Sequence, residues 1–307
     1  MSLGSWIDQW LKNFLPNIER TTRDSYEEKI RNHIKPALGT IPLKLLRADA
    51  IQAMINDMIQ MGRSPKTIRN TYNILNPALN KAVELHMLPH NPCVGVVLPK
   101  LKKPKVEVYT EAESKQVLSA AKGTDLYLFV LLSLSLGTRR GELGALKWEN
   151  IDFDKGTIKV CESRVHANKT VIEKDPKSEA GKRTITVGSD VMSELRKAKK
   201  AYDEKAKEPW FRDLGYVICK KDGTPYRPDS LTQKWERFTE RNNLPHIKLH
   251  GLRHTNATAM IAAGISPKVV QQRLGHADVS ITLNTYTHVL PSMDKEAAEK
   301  IDNILFD

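Results

Sequence analysis

The chain has no closely spaced pair of cysteines. Cys93, Cys161 and Cys219 are odd in number and far apart, so neither a disulfide framework nor a zinc ribbon is supported and a reducing cytoplasm fits. It also lacks any apolar run long enough to span a bilayer, and its start, Met-Ser-Leu-Gly-Ser-Trp, has neither the basic nor the apolar region of a signal peptide. A soluble intracellular protein is expected. Acidic residues are in deficit: 48 Lys and Arg stand against 36 Asp and Glu, a net charge of +12. That balance suits a polyanionic partner, and equally a soluble basic protein with a solvated surface.

What is present is a long helical pattern with one interruption. At 307 residues two domains are expected, each with its own core. Residues 1–99 read as helical. Trp6, Ile7, Trp10, Leu11 and Phe14 recur at helical spacing until Pro16; Tyr26, Ile30 and Ile34 mark a second helix predicted to end before Pro36. A third helix runs from about Asp49 to Met61, and Ser64-Pro65 starts a fourth, which Pro77 is expected to kink or split. Residues 100–108, with four lysines and a proline, read as a basic interdomain linker of a composition able to lie along a phosphate backbone.

Residues 109–307 read as a second domain. Thr110-Glu-Ala-Glu113 forms a capping box, and the almost wholly apolar Leu126 to Leu136 predicts a central core helix ended by Gly137. Two arginines, Arg139 and Arg140, follow at once. From Thr157 to Val187 the pattern alternates, predicting one small antiparallel sheet with turns near Ala167-Asn168 and Glu179-Ala180-Gly181. Lys177 sits beside the second turn. Charged helical sequence resumes at about Asp190 to Lys207, and Ser266-Pro267 begins a helix whose end at Gly275 puts His276 at a turn. The fold class is therefore mainly α with a small antiparallel β-sheet.

The stretch from Leu249 to Val289 concentrates the chemistry. His250 and Arg253, three apart on a helix, share a face; His276 and Tyr286 add a donor and a hydroxyl nucleophile. The four-residue spacing of His250 and His254 invites a metal reading. Zincin-like helices, however, place Glu directly after the first His, whereas Gly251 follows here and cationic Arg253 lies between the two. No metal and no cofactor is expected.

Gly137-Thr-Arg139-Arg-Gly-Glu142-Leu, Pro176-Lys177, His250-Gly-Leu-Arg253-His, Leu274-Gly-His276 and Thr285-Tyr286 resemble, in order and approximate distance, the boxes of the tyrosine recombinases, the phage integrase family. The resemblance covers the whole second domain, and residues 1–99 look like that family's helical, SAM-like core-binding domain. It implies that Arg139 and Arg253 clamp the scissile phosphate and that His250 and His276 hydrogen-bond to it. It further implies that Lys177 protonates the leaving 5′ oxygen and that Tyr286 attacks to give a 3′-phosphotyrosine. Spacing alone does not separate Arg139 from Arg140, or Lys177 from Lys174 and Lys182; the family's Gly-x-Arg and Pro-Lys patterns select Arg139 and Lys177. Glu142 is given a structural role, and His254 and His288 packing roles.

The resemblance implies a site-specific DNA recombinase that integrates or excises a mobile element, acting in the cytoplasm at the nucleoid. Double-stranded attachment sites, a homotetramer on DNA, and an excisionase or host DNA-bending protein are the implied partners, with no membrane. A type IB topoisomerase-like enzyme and a non-catalytic architectural DNA-binding factor are the alternatives. Many such integrases carry an N-terminal arm-binding domain, and none is visible before Trp6. A last amphipathic segment, residues 292–307, is expected to dock on a neighbouring protomer.

Overall fold

The computed structural model describes residues 1–101, 106–167, 170–175, 181–276 and 278. The chain divides into two compact units, residues 1–104 and 105–307. The predicted turns at Asn168 and at Glu179-Ala180, the predicted functional residues Lys177 and Tyr286, His288, and the predicted terminal helix over 292–307 lie outside the described residues.

The first unit is a set of helices: α1 (Leu3–Asn13), α2 (Arg20–Lys29), α3 (Lys35–Leu38), α4 (Ala48–Gln60) and α5 (Pro65–Glu84). Leu3, Trp6, Ile7, Trp10 and Leu11 place the apolar stripe of α1 in the core, and the Trp6 indole N–H donates to the Ala78 carbonyl of α5 at 2.9 Å. The second helix, α2, ends at Lys29, before Pro36 as expected, but the helical run goes on through a π-turn over Ile30–Ile34, with the Lys35 N–H reaching the Ile30 carbonyl five residues back. Pro36 thus enters as the second residue of a new short helix, where its missing N–H is tolerated. Of the kink or split expected at Pro77, the split does not occur. The buried stripe of Ile68, Ile74, Leu75, Ala78, Leu79 and Ala82 runs past it on both sides, and packing of that face holds the helix together across the lost hydrogen bond.

In the second unit α6 (Glu111–Ala121) starts at the predicted capping box. The apolar α7 (Tyr127–Leu136) ends at Gly137 in the left-handed region, φ 62°, and α8 (Arg140–Ala145) follows. The strands are β1 (Ile151–Asp152), β2 (Thr157–Val160), β3 (Ser163–Ala167), β4 (Thr170–Lys174) and β5 (Arg183–Thr186), and then come α9 (Ser189–Ala206), α10 (Pro228–Arg241), α11 (Gly251–Ala262) and α12 (Pro267–Leu274).

The single sheet expected from the alternation is two sheets. β1, β2 and β5 make one antiparallel sheet in that order, with Ile158 opposite Ile185; β3 and β4 form a separate hairpin. Gly141 explains the departure. A Cβ there would lie 2.5 Å from the Ser163 hydroxyl and 2.7 Å from the Arg164 carbonyl, so the bare backbone of α8 lets β3 leave the sheet and press against it.

Around α7 the core gathers Phe129, Val130, Leu132 and Leu136 with Leu143, Ile158, Ile185, Leu195, Trp235 and Leu252. The Trp235 indole N–H donates to the Ile247 carbonyl at 2.8 Å, fixing the loop that leads into α11. A Cβ on Gly137 would sit 2.4 Å from the Asn256 Oδ1 and 2.5 Å from the Leu274 Cδ2. Glycine at this position therefore lets the end of α7 meet both α11 and α12. That junction carries the site.

Candidate active site

Arg139 is the N-cap of α8. Its backbone N–H donates to the Glu142 Oε2 at 2.9 Å and its Nη1 to the Glu142 Oε1 at 2.6 Å, while its Nη2 reaches the Gly275 carbonyl at 3.1 Å. The side chain stays 43% exposed, so a guanidinium fixed by two acceptor atoms still faces outward. Glu142 is the reverse case. Its side chain is 2% exposed and is also bonded by Arg183 at 2.9 Å. Burial pushes its carboxyl up, but the hydrogen bonds and charges of Arg183 and Arg139 outweigh burial and hold it below the usual carboxylate range.

Arg253, on the first turn of α11, is 3% exposed. Its Nη1 donates to the Gly137 carbonyl at 2.7 Å and its Nη2 to the Leu274 carbonyl at 2.9 Å. The two arginines thus take consecutive carbonyls at the end of α12, Leu274 and Gly275, just before His276. Those carbonyls are free for the purpose because α12 ends there, with Gly275 left-handed at φ 68°.

His250 is the N-cap of α11. Its ring meets that of His254 edge to face at 4.8 Å. Burial, then His254, Arg253 and Arg139, push its imidazole down to about 4. His276 is pushed to about 4 as well, by burial and then by Arg253 and Arg139. Both rings are neutral at pH 7, and each offers one N–H donor and one acceptor nitrogen.

Arg139 and His250 open on a cleft of about 720 Å³ that Arg140, Arg164 and Lys248 also line, with Asp229 and Glu236 on its wall; Arg253 and His276 lie behind it and are not among its lining residues. Arg140 turns away from Arg139 to donate to the Thr232 hydroxyl. Arg164 stacks on the Tyr216 ring at 4.9 Å and pairs with Glu173 at 3.4 Å. Such a cleft of fixed guanidinium and imidazole donors can hold a tetrahedral oxyanion, above all a phosphodiester.

The predicted residues Arg139, His250, Arg253 and His276 are thereby brought to one place from the ends of α7, α11 and α12. Of the two lysines that compete with Lys177, Lys182 pairs with Asp175 at 2.8 Å, and Lys174 closes β4. Arg183 was missed. The signal for it existed: Arg183 and Ile185 are two apart in β5, and a charge in register with an inward isoleucine is out of place unless it is held there. Among the described residues no group of three or more His, Cys, Asp or Glu side chains is placed to hold a metal ion. No described helix is long and apolar enough to cross a membrane.

An integrase of transposon Tn1549, solved in complex with transposon right end DNA, matches with a TM-score of 0.82 at 23% identity, over 97% of this chain and 100% of that one. The model of the phage integrase family matches residues 107–293, and that of the phage integrase N-terminal SAM-like domain matches residues 2–59. A tyrosine recombinase XerC-like protein of Caldanaerobacter subterraneus subsp. tengcongensis is 30% identical over 99% of this chain and 83% of its own length. The ICEBs1 integrase of Bacillus subtilis is 26% identical over 95% and 81%. The chain belongs to the phage integrase family, the tyrosine recombinases.

Proposed function

We propose that the chain cuts and rejoins double-stranded DNA at the attachment sites of a mobile element, with Arg139, His250, Arg253 and His276 holding the scissile phosphate and Tyr286 as nucleophile. The observation that carries this reading is the anchoring of both arginines on consecutive carbonyls beside His276. It fixes two guanidinium groups before any substrate arrives, so little reorganisation is left for the transition state.

In the first step the Tyr286 oxygen bonds to phosphorus, and the bond from phosphorus to the 5′ oxygen breaks. Arg139 and Arg253 stabilise the charge on the non-bridging oxygens. Neutral His250 is suited to accept the phenolic proton, which a free tyrosine with pKa of about 10 holds at neutral pH. Lys177 gives a proton to the departing 5′ oxygen. The products are a 5′-hydroxyl and a 3′-phosphotyrosine, and a 5′-hydroxyl from a second duplex reverses the step without ATP. Since the exchange joins two duplexes and each strand cut consumes one tyrosine, a homotetramer on DNA follows from the chemistry. Residues 1–99 serve as the core-binding domain, residues 100–108 as a basic connector, and an excisionase or host DNA-bending protein sets direction. The work is done at the nucleoid.

The test is a covalent trap. Incubated with a nicked duplex carrying the junction of the element that encodes it, the protein is expected to form an SDS-resistant DNA adduct, and Tyr286→Phe to form none. An adduct with Tyr286→Phe removes Tyr286 as the nucleophile.

A further inference from the structure

We infer that Arg183 is a positioning residue for strand cleavage, acting through Glu142 and the end of α12 to set the guanidinium of Arg139. The inference rests on the phosphate-holding role given to Arg139 above. Arg183 opens β5, and its side chain is 7% exposed. It sends three nitrogens to three acceptors: Nε to the Arg273 carbonyl at 2.7 Å, Nη1 to the Gly181 carbonyl at 3.0 Å, and Nη2 to the Glu142 Oε2 at 2.9 Å.

Each acceptor lies close to something the site depends on. Glu142 holds Arg139 through its other oxygen. The Arg273 carbonyl immediately precedes those of Leu274 and Gly275, which receive Arg253 and Arg139. Gly181 lies two residues before the start of β5. Arg183 therefore ties the sheet to both supports of Arg139 at once, with all three of its side-chain nitrogens taken by protein acceptors.

Stability alone is a poor account of such a residue. Replacing a buried ion pair with apolar groups of the same shape is often neutral or stabilising, so its worth lies in what it orients. Only a planar fork with donors on three nitrogens can satisfy acceptors in three directions. Lysine keeps the charge and presents a single nitrogen.

The experiment is a double-mutant cycle on single-turnover cleavage of the nicked duplex at saturating protein, comparing wild type, Arg139→Lys, Arg183→Lys and the double variant, with DNA affinity measured alongside. All are assayed below their melting transitions, and Arg183→Gln replaces Arg183→Lys should the latter fail to fold. Expected is a cleavage rate down by roughly 100-fold for Arg183→Lys, the scale on which a small displacement of a reacting group acts, with DNA affinity unchanged within about 3-fold. In the Arg139→Lys background the same change should cost far less, because the group it positions is already impaired. Cleavage by Arg183→Lys at the wild-type rate, or losses that multiply fully in the double variant, overturns the inference. Unimpaired cleavage by Arg139→Lys instead points to failure of the reading on which it rests.

Discussion

Among the described residues, the polar side chains buried in the first unit are the neutral Thr71 and Asn91, whereas the second unit buries Glu142, Arg164 and Arg253 as well as several neutral groups. Both units close a core of leucine, isoleucine and aromatic side chains, so the charges are not needed for want of apolar surface. Taking an ion out of water costs several kcal/mol, and only a full set of partners offsets it. For Arg253 the partners are chain ends, the carbonyls of Gly137 and Leu274; Glu142 is met by the cap of α8 and by Arg183, and Arg164 by Glu173. In the first unit helix packing is the end result; in the second it is the means by which helix termini are made to converge.

Glu142→Ala should separate the two units most strongly. The change leaves Arg183 buried at 7% exposure without its carboxylate, and a loss of about 3–5 kcal/mol is expected in the second unit alone. Hydrogen exchange followed by mass spectrometry resolves the two units, and equal loosening of both would blur the distinction. Cleavage should fall with it, since Arg139 loses its main support.

A smaller loss is expected from Asn91→Ala in the first unit. The Asn91 amide nitrogen donates to the Asn76 Oδ1 at 2.8 Å, and its oxygen accepts the Cys93 N–H at 2.8 Å. Removing these neutral bonds should cost about 1–3 kcal/mol, with protection lost between residues 1 and 104 and the cleavage rate of bound DNA preserved. Slower cleavage from saturated complexes would mean that the polar groups of the two units are not as separable as their burial implies.

Acid should also set the two units apart. His250 and His276 lie at about 4 in the folded unit against 6.5 in the unfolded chain, so between those values the unfolded chain binds more protons. Their contribution to stability is complete above about pH 6.5 and drains away as the pH falls toward 4. Glu142, held low in the fold, adds a loss in the same direction as its carboxyl protonates at lower pH still. In the first unit His33 is also lowered, by burial and then Arg63, but it sits nearer the surface. Denaturant midpoints followed by exchange from pH 7 to pH 4 should fall further in the second unit than in the first. A parallel fall contradicts the assignment of the shift to the buried histidines.

Much of this was legible in the sequence because it is local. A serine or threonine before a proline or an acidic first turn marks where α5, α6 and α12 begin, and Gly137 and Gly275 mark where α7 and α12 end. Those ends are the places where Arg139, Arg253 and His276 are held, so the motif and the fold announce each other. What escaped was set by contacts distant in sequence. The break between the two sheets depends on Gly141 meeting Ser163, the passage of the chain through Pro36 depends on a π-turn, and the integrity of α5 at Pro77 depends on packing of its buried face. Arg183 escaped for the same reason: its partners, Glu142 and Arg273, are 41 and 90 residues away.

On the proposed mechanism the second unit fixes its guanidinium groups for the reaction rather than for DNA affinity. Arg139→Ala measures this most directly, with single-turnover cleavage of a nicked duplex set beside the dissociation constant for the same duplex. Cleavage is expected to fall by at least about 100-fold, the scale of losing one preorganised donor. Affinity is expected to change by no more than a few-fold, because many phosphate contacts share the binding. Equal losses in cleavage and affinity, or cleavage at the wild-type rate, would contradict it.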